Sequence, residues 1–196
     1  MLMKISDPFS FRLLVAVIFI GTIGTSCSSK WALQLPEAYA GPRTGDSLKL
    51  DLAQLQPLRE EDKKVLAGEG KNRLVVYTKT DCSLCAAIIS WWNDILIDTR
   101  WDTLVDVIFI SHGQSISTLE YFVFDDIGID YPTFYDAENL FAKENQISED
   151  VDFHGFLIDG QNKIRTLGNP AVDSLARIRF DKMIRKMERN KASLNR

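Results

Sequence analysis

Two runs, Leu74-Val-Val-Tyr-Thr78 and Leu104-Val-Asp-Val-Ile-Phe-Ile-Ser111, are almost continuously apolar and rich in β-branched and aromatic side chains. That pattern predicts strands buried on both faces. Between them the period changes. From Cys82 to about Ile97 the residues Cys85, Ile88, Ile89, Trp92, Ile95 and Leu96 recur at i, i+3, i+4, i+7 spacing, which predicts one apolar stripe on a helix. Ile116 to about Asp126 is a second helical segment. Tyr131–Tyr135 is extended, as expected of a residue before Pro132, and Glu138–Asn145 is a short helix. Phe153–Asp159 and Lys163–Leu167 read as a hairpin around Gly160-Gln-Asn162. Val172 to about Asn190 is the last helix, with Val172, Ala176, Phe180, Met183 and Met187 on one face. Upstream, Leu48–Leu52 is a candidate strand and Leu58–Ala67 a polar, helix-compatible stretch. Alternation followed by a hairpin predicts an α/β domain over residues 48–196, a mixed central sheet with helices on both faces.

The amino-terminal pattern differs. Lys4 and Arg12 flank the start of an apolar run, Leu13–Ile20, which softens through Gly21–Ser26 and stops at Cys27. The run is short against the roughly 20 residues of a membrane span and fits a signal peptide over residues 1–26. An uncleaved anchor is the alternative. Residues 27–47, with Pro36, Gly41-Pro42 and Gly45-Asp46 and no apolar period, read as a tether. Gly24-Thr-Ser-Cys27 resembles a bacterial lipoprotein box. That resemblance implies lipidation of Cys27, a membrane anchor and a domain facing the periplasm.

Composition narrows the classes. An apolar fraction of 45% and a charged fraction of 26% are ordinary globular values, which excludes wholesale disorder and collagen. The net charge of −4 argues against a general nucleic-acid binder. Three cysteines are too few for a disulfide scaffold. With Cys27 assigned to lipid, Cys82 and Cys85 remain as a pair in a compartment where disulfides persist.

The first predicted strand runs into Thr80-Asp81-Cys82-Ser-Leu-Cys85, where the helix begins. Cys-x-x-Cys beside a βαβ pattern is a redox signature. Two intervening residues let both sulfurs meet on one helical turn. A helix N-terminus favours a thiolate, and the second cysteine falls on the apolar stripe. Here the chain resembles the thioredoxin-like superfamily, in its exported branch related to thiol-specific antioxidant and cytochrome-maturation proteins. The resemblance runs from about Leu74 to Met187. It rests on the strand–Asp-Cys-Ser-Leu-Cys–helix junction, on Phe156-Leu-Ile-Asp159-Gly-Gln-Asn-Lys-Ile164, and on Tyr131-Pro-Thr-Phe-Tyr-Asp136. It implies a three-layer thioredoxin-like fold and thiol–disulfide exchange on protein substrates, with a redox partner protein and no bound cofactor. Cys82 would be the attacking thiol and Cys85 the resolving one.

The chain departs from that family at Phe153, which aligns where a cis-proline is usual. The Asp152–Phe153 bond is expected to be trans. Asp81, Asp152 and Phe153 are the near-site candidates: Asp81 and Asp152 would disfavour a Cys82 thiolate, whereas Lys79 would favour it. Three other readings stay open. The pair is a structural disulfide in a non-catalytic binding module, or half of a zinc site with His112 and His154, or part of a thiol peroxidase. Trp91 and Trp92 sit mid-helix, and core packing is expected for at least one. The excess of Lys and Arg over Val172–Arg196 reads as a solvated helix face.

Overall fold

Six strands form one sheet in the order β1-β4-β3-β2-β5-β6. They are β1 (Gln56–Pro57), β2 (Arg73–Lys79), β3 (Asp106–His112), β4 (Thr133–Tyr135), β5 (Gly155–Ile158) and β6 (Ile164–Gly168). The computed structural model describes residues 39–67, 70–81 and 83–194, all within one compact unit, Pro36–Arg196. Strands β2, β3 and β4 are parallel. β5 runs antiparallel to β2, β6 antiparallel to β5, and β1 antiparallel to β4. The two longest apolar runs in the sequence are thus the two central strands, and every side chain from Leu74 to Thr78 is buried.

Alternation along β2 sorts the core into two layers. Leu74 and Val76 join Ile88, Ile89, Trp92 and Leu96 of helix α1 (Ser83–Thr99) and Phe180 and Ile184 of the carboxyl-terminal helix. On the opposite face the Tyr77 ring meets Phe141, and Phe141 meets Phe156, at centroid distances of 6.0 and 6.4 Å. Phe141 belongs to α3 (Leu140–Asn145), which follows α2 (Ile116–Glu120) in the chain. The carboxyl-terminal helix, α4, spans Ser174–Leu194. Its start is fixed by Asp173, whose Oδ1 accepts the Leu175 N–H at 2.8 Å, so the helix begins after Val172 rather than at it.

One expectation is corrected, and two helical readings hold with a different winding. Leu48–Leu52 is not a strand. Its backbone is satisfied by other partners: Leu48 N–H donates to Asn162 O, and Lys49 exchanges two bonds with the Asn145 side chain. Leu58–Ala67 tightens into a 3-10 helix over Glu60–Ala67. There the buried Asp62 carboxylate takes bonds from the Arg59 backbone and guanidinium and from Thr133 N–H. The segment after α2 continues as a π-helix, Tyr121–Asp126.

The amino-terminal edge of the body also differs from the sequence reading. Residues 39–47, read as the end of the tether, are held to the sheet. Gly45 N–H donates to Ile164 O, Ile164 N–H donates to Asp46 O, and Ser47 bridges Lys163. This covers the open edge of β6. Residues 1–26, read as a signal peptide, Cys27 and residues 28–38 lie outside the described residues. Among the described residues no helix is long and apolar enough to cross a membrane.

Candidate functional site

The carboxyl ends of the parallel strands lie at one edge of the sheet, and α1 starts from there. In open α/β sheets this is where ligand and reaction sites gather. Their loops are tied together. Thr80 N–H donates to His112 O at 3.0 Å, Tyr135 hydroxyl donates to Gly113 O at 2.8 Å, and His112 Nδ1 meets Asp136 O at 2.8 Å. Asp136, itself buried, caps α3 by accepting the Leu140 and Phe141 N–H groups.

Cys85 occupies the first turn of α1, is half-buried and is disulfide-bonded. Cys82 lies outside the described residues, as does Cys27. Leu84, between the two motif cysteines in sequence, is exposed, and so is Asp81. On α1, Trp92 is completely buried while Trp91 is 42% exposed, so core packing holds for one of the two.

The next strand over delivers the other side of the site. Tyr77 N–H donates to His154 O at 2.8 Å, and Val76 pairs with Gly155. Residues 151–154 therefore sit level with the carboxyl end of β2. Pro132, by contrast, enters β4 two strands away, with its carbonyl level with Phe109. Phe153 does not lie in a strand as the hairpin reading has it. It closes a 3-10 turn, Val151–Phe153, whose Asp152 N–H is capped by the Asp150 carboxylate at 3.1 Å. Among the described residues no peptide bond is cis. The buried Phe153 ring packs on Tyr39 with centroids 4.5 Å apart.

The electrostatics of this edge centre on Lys79, the last residue of β2. Its ammonium is paired with the Glu149 carboxylate, which comes from the loop after α3. That bond holds the Glu149 carboxyl below its usual range. Burial pushes the His154 ring below its ordinary 6.5, and its Nε2 meets Ser148 O at 2.8 Å. Burial also raises the Asp152 carboxyl, helped by Asp150 and Asp173. Tyr77 is raised by burial while its hydroxyl donates to Asn139 Oδ1. Tyr39 is pushed up to about 12, chiefly by burial. The two histidines weighed as zinc ligands are each bonded to a backbone carbonyl.

Three residues of this edge escaped the sequence reading. Glu149 meets Lys79 from 70 residues away, beyond any local spacing rule. Tyr39 lies in the stretch read as tether. Asn169 is fully buried, and its amide donates to Val151 O at 2.8 Å, holding the β6–α4 loop against the 151–153 turn. The Gly168-Asn169-Pro170 breaker cluster was the available signal for it.

Neither a protein-family model nor a curated protein sequence matches the chain. Solved structures do. A Chlorobium tepidum chain assigned as the thiol:disulfide interchange protein DsbE is 12% identical, with a TM-score of 0.54 over 72% of this chain and 98% of that one. The fold is thioredoxin-like. A Bacteroides thetaiotaomicron chain assigned as a protein disulfide isomerase agrees, at 17% identity and a TM-score of 0.52 over 74% of this chain and 87% of that one. At these identities the likeness is one of architecture: the mixed six-stranded sheet with helices on both faces is the expected one.

Proposed function

We propose that this protein is an exported thiol–disulfide oxidoreductase, anchored to a bacterial membrane through lipid on Cys27 and acting on protein substrates in the periplasm. The observation that carries the reading is the disulfide-bonded Cys85 in the first turn of α1, directly after β2 of a thioredoxin-like sheet. The names of the two architectural neighbours support it. Cys82 is the proposed partner of Cys85.

In the reducing direction the Cys82 thiolate attacks one sulfur of a substrate disulfide. A mixed disulfide forms, and the other substrate sulfur leaves as a thiolate and takes a proton. The Cys85 thiolate then attacks the Cys82 sulfur and expels the second substrate thiol. Two electrons have passed to the substrate, and a redox partner protein carrying a dithiol returns them. The reverse sequence oxidises a substrate dithiol. The protein groups supply the helix N-terminus, which favours the thiolate, and the partial burial of Cys85.

The test is trapping in the full chain. Cys85→Ala is expected to accumulate substrate as mixed disulfides on a non-reducing gel, and Cys82→Ala to accumulate none. Equal trapping by both variants, or by neither, refutes the reading. In the same strains Cys27→Ala is expected to lose acyl label, and retention of label refutes the anchor.

A further inference from the structure

Helix α4 buries one side and leaves the opposite side in water. Ala176, Phe180 and Ile184 are completely buried in the core. Leu175, Ile178, Lys182, Arg185, Lys186 and Arg189 recur at i, i+3, i+7, i+10, i+11 and i+14, which places them on one stripe, and all six are exposed. The acidic residues of the helix are Asp181 and Glu188, and neither stands on that stripe. Asp181 is engaged by Arg185 and by the Trp101 indole. Arg177 and Arg179, off the stripe, pair with Asp98 and Asp173. Among the described residues Lys182, Lys186 and Arg189 have no ion-pair partner.

The stability of the helix does not call for this stripe. Like charges three or four residues apart repel, and Lys182–Arg185, Lys182–Lys186 and Lys186–Arg189 are such pairs. The helix dipole favours basic side chains in the last turn, whereas Lys182 stands mid-helix. Leu175 and Ile178, on the same stripe, are 53% and 46% exposed. The whole chain carries a net charge of −4, so the positive face is a local feature. We infer that this face of α4 docks on an anionic lipid surface, with Lys182, Lys186 and Arg189 on the headgroup phosphates and Leu175 and Ile178 in the boundary with the acyl chains. Charge complementarity selects the surface. The aliphatic pair selects lipid over an acidic protein, because side chains on a convex helix face enter a fluid boundary that needs no shaped pocket. The inference uses neither the thiol chemistry nor lipid on Cys27.

The experiment is co-sedimentation of the unlipidated full chain, made by cell-free synthesis, with vesicles of phosphatidylcholine alone and of an equal mixture with phosphatidylglycerol. Residues 1–26 are present in every variant, so the ratio of the two partition coefficients, compared between variants, reports on α4. The native chain is expected to prefer the anionic vesicles despite its net negative charge. The variant Lys182→Gln/Lys186→Gln/Arg189→Gln is expected to lose roughly tenfold or more of that preference, each charge being worth up to about fivefold. Removing three exposed charges elsewhere, Lys49→Gln/Lys64→Gln/Lys163→Gln, is expected to leave most of the preference in place. Leu175→Ser/Ile178→Ser is expected to weaken binding to the anionic vesicles several-fold. High salt is expected to compress the anionic preference.

Equal partitioning of the native chain between the two kinds of vesicle, or a preference that the α4 basic variant keeps, overturns the inference. An equal loss in the Lys49, Lys64 and Lys163 variant also overturns it, since that marks a general charge effect. Unchanged vesicle binding by Leu175→Ser/Ile178→Ser, together with retention of the native chain on immobilised polyglutamate, overturns it in favour of an acidic protein partner. Relief of like-charge contacts is expected to leave the urea midpoint of the basic variant at or above the native value, so that lost binding is not lost folding. Lys186→Gln alone, with a loss of up to about fivefold, decides should the triple variant unfold. Trapping by the cysteine variants is scored separately, and either reading can fail without the other.

Discussion

Gly155 opens β5 at the point where that strand, β6 and α1 converge, and Gly155→Ala tests that packing. A Cβ there would lie 2.5 Å from Gly168 O, 2.9 Å from Trp92 Cζ2 and 3.2 Å from Trp92 Cη2. Ordinary carbon contacts sit at about 3.5–4.0 Å, so something must give by roughly half an ångström or more. Neither neighbour has room. Trp92 is completely buried with the Phe180 ring across it at 6.4 Å. Gly168 has φ of 141°, and the space beside its own Cα is taken by Ala176 and Arg179. The substitution also has a favourable side. Alanine restricts the unfolded chain and contributes about 0.4–1 kcal/mol where the native backbone accepts it. Overpacking of a close-packed core costs about 1–3 kcal/mol, so the clash wins and a net loss of about 1–2 kcal/mol is expected. Urea unfolding of the oxidised protein, followed by circular dichroism, measures it as a lower midpoint at unchanged slope. In a Trp92→Phe background two of the three short contacts disappear, and the penalty for Gly155→Ala is expected to shrink. A midpoint that is unchanged or raised by Gly155→Ala refutes the packing argument.

His154 gives a pH signature. Its folded pKa lies below the unfolded 6.5 because burial disfavours the charged ring, so its contribution is present above about 6.5 and is lost as pH falls toward the folded value. Between pH 7 and 5.5 the native urea midpoint is expected to drop more than that of His154→Gln, and parallel slopes would disprove it. Phe153→Pro is expected to lower stability by about 3 kcal/mol, measured by the same unfolding. Proline removes the Phe153 N–H bond to Asp150 O and the ring seated on Tyr39, and it disfavours the helical backbone of Asp152. A variant as stable as the native chain would show that the turn does not depend on these contacts.

The central elements were legible because their signals are local and strong. Leu74–Thr78 and Leu104–Ser111 carry enough β-branched surface to be strands wherever they are placed. The stripe from Cys85 to Leu96 can bury itself only as a helix. What stayed hidden depends on partners far along the chain. Leu48–Leu52 has strand composition, yet the Asn145 side chain answers its backbone in place of a neighbouring strand. Phe153 has the apolar character of a strand residue. The aspartate three positions earlier in the chain accepts its N–H, and Asn169 draws the turn toward the β6–α4 loop. At the candidate site the pattern of cysteines was readable and its charge balance was not. Glu149 pairs with Lys79 from far along the chain, and nothing in Thr78-Lys-Thr-Asp-Cys82 points to that residue.

The 151–153 turn is a backbone segment that the fold fixes without a proline. Here the constraint is divided among contacts from three directions. Asp150 caps Asp152 from within the turn, Asn169 holds Val151 O from the β6–α4 loop, and the Tyr39 ring covers Phe153. Tyr39 lies where the sequence reads as linker, so the turn level with the end of β2 is coupled to the chain that leads toward Cys27.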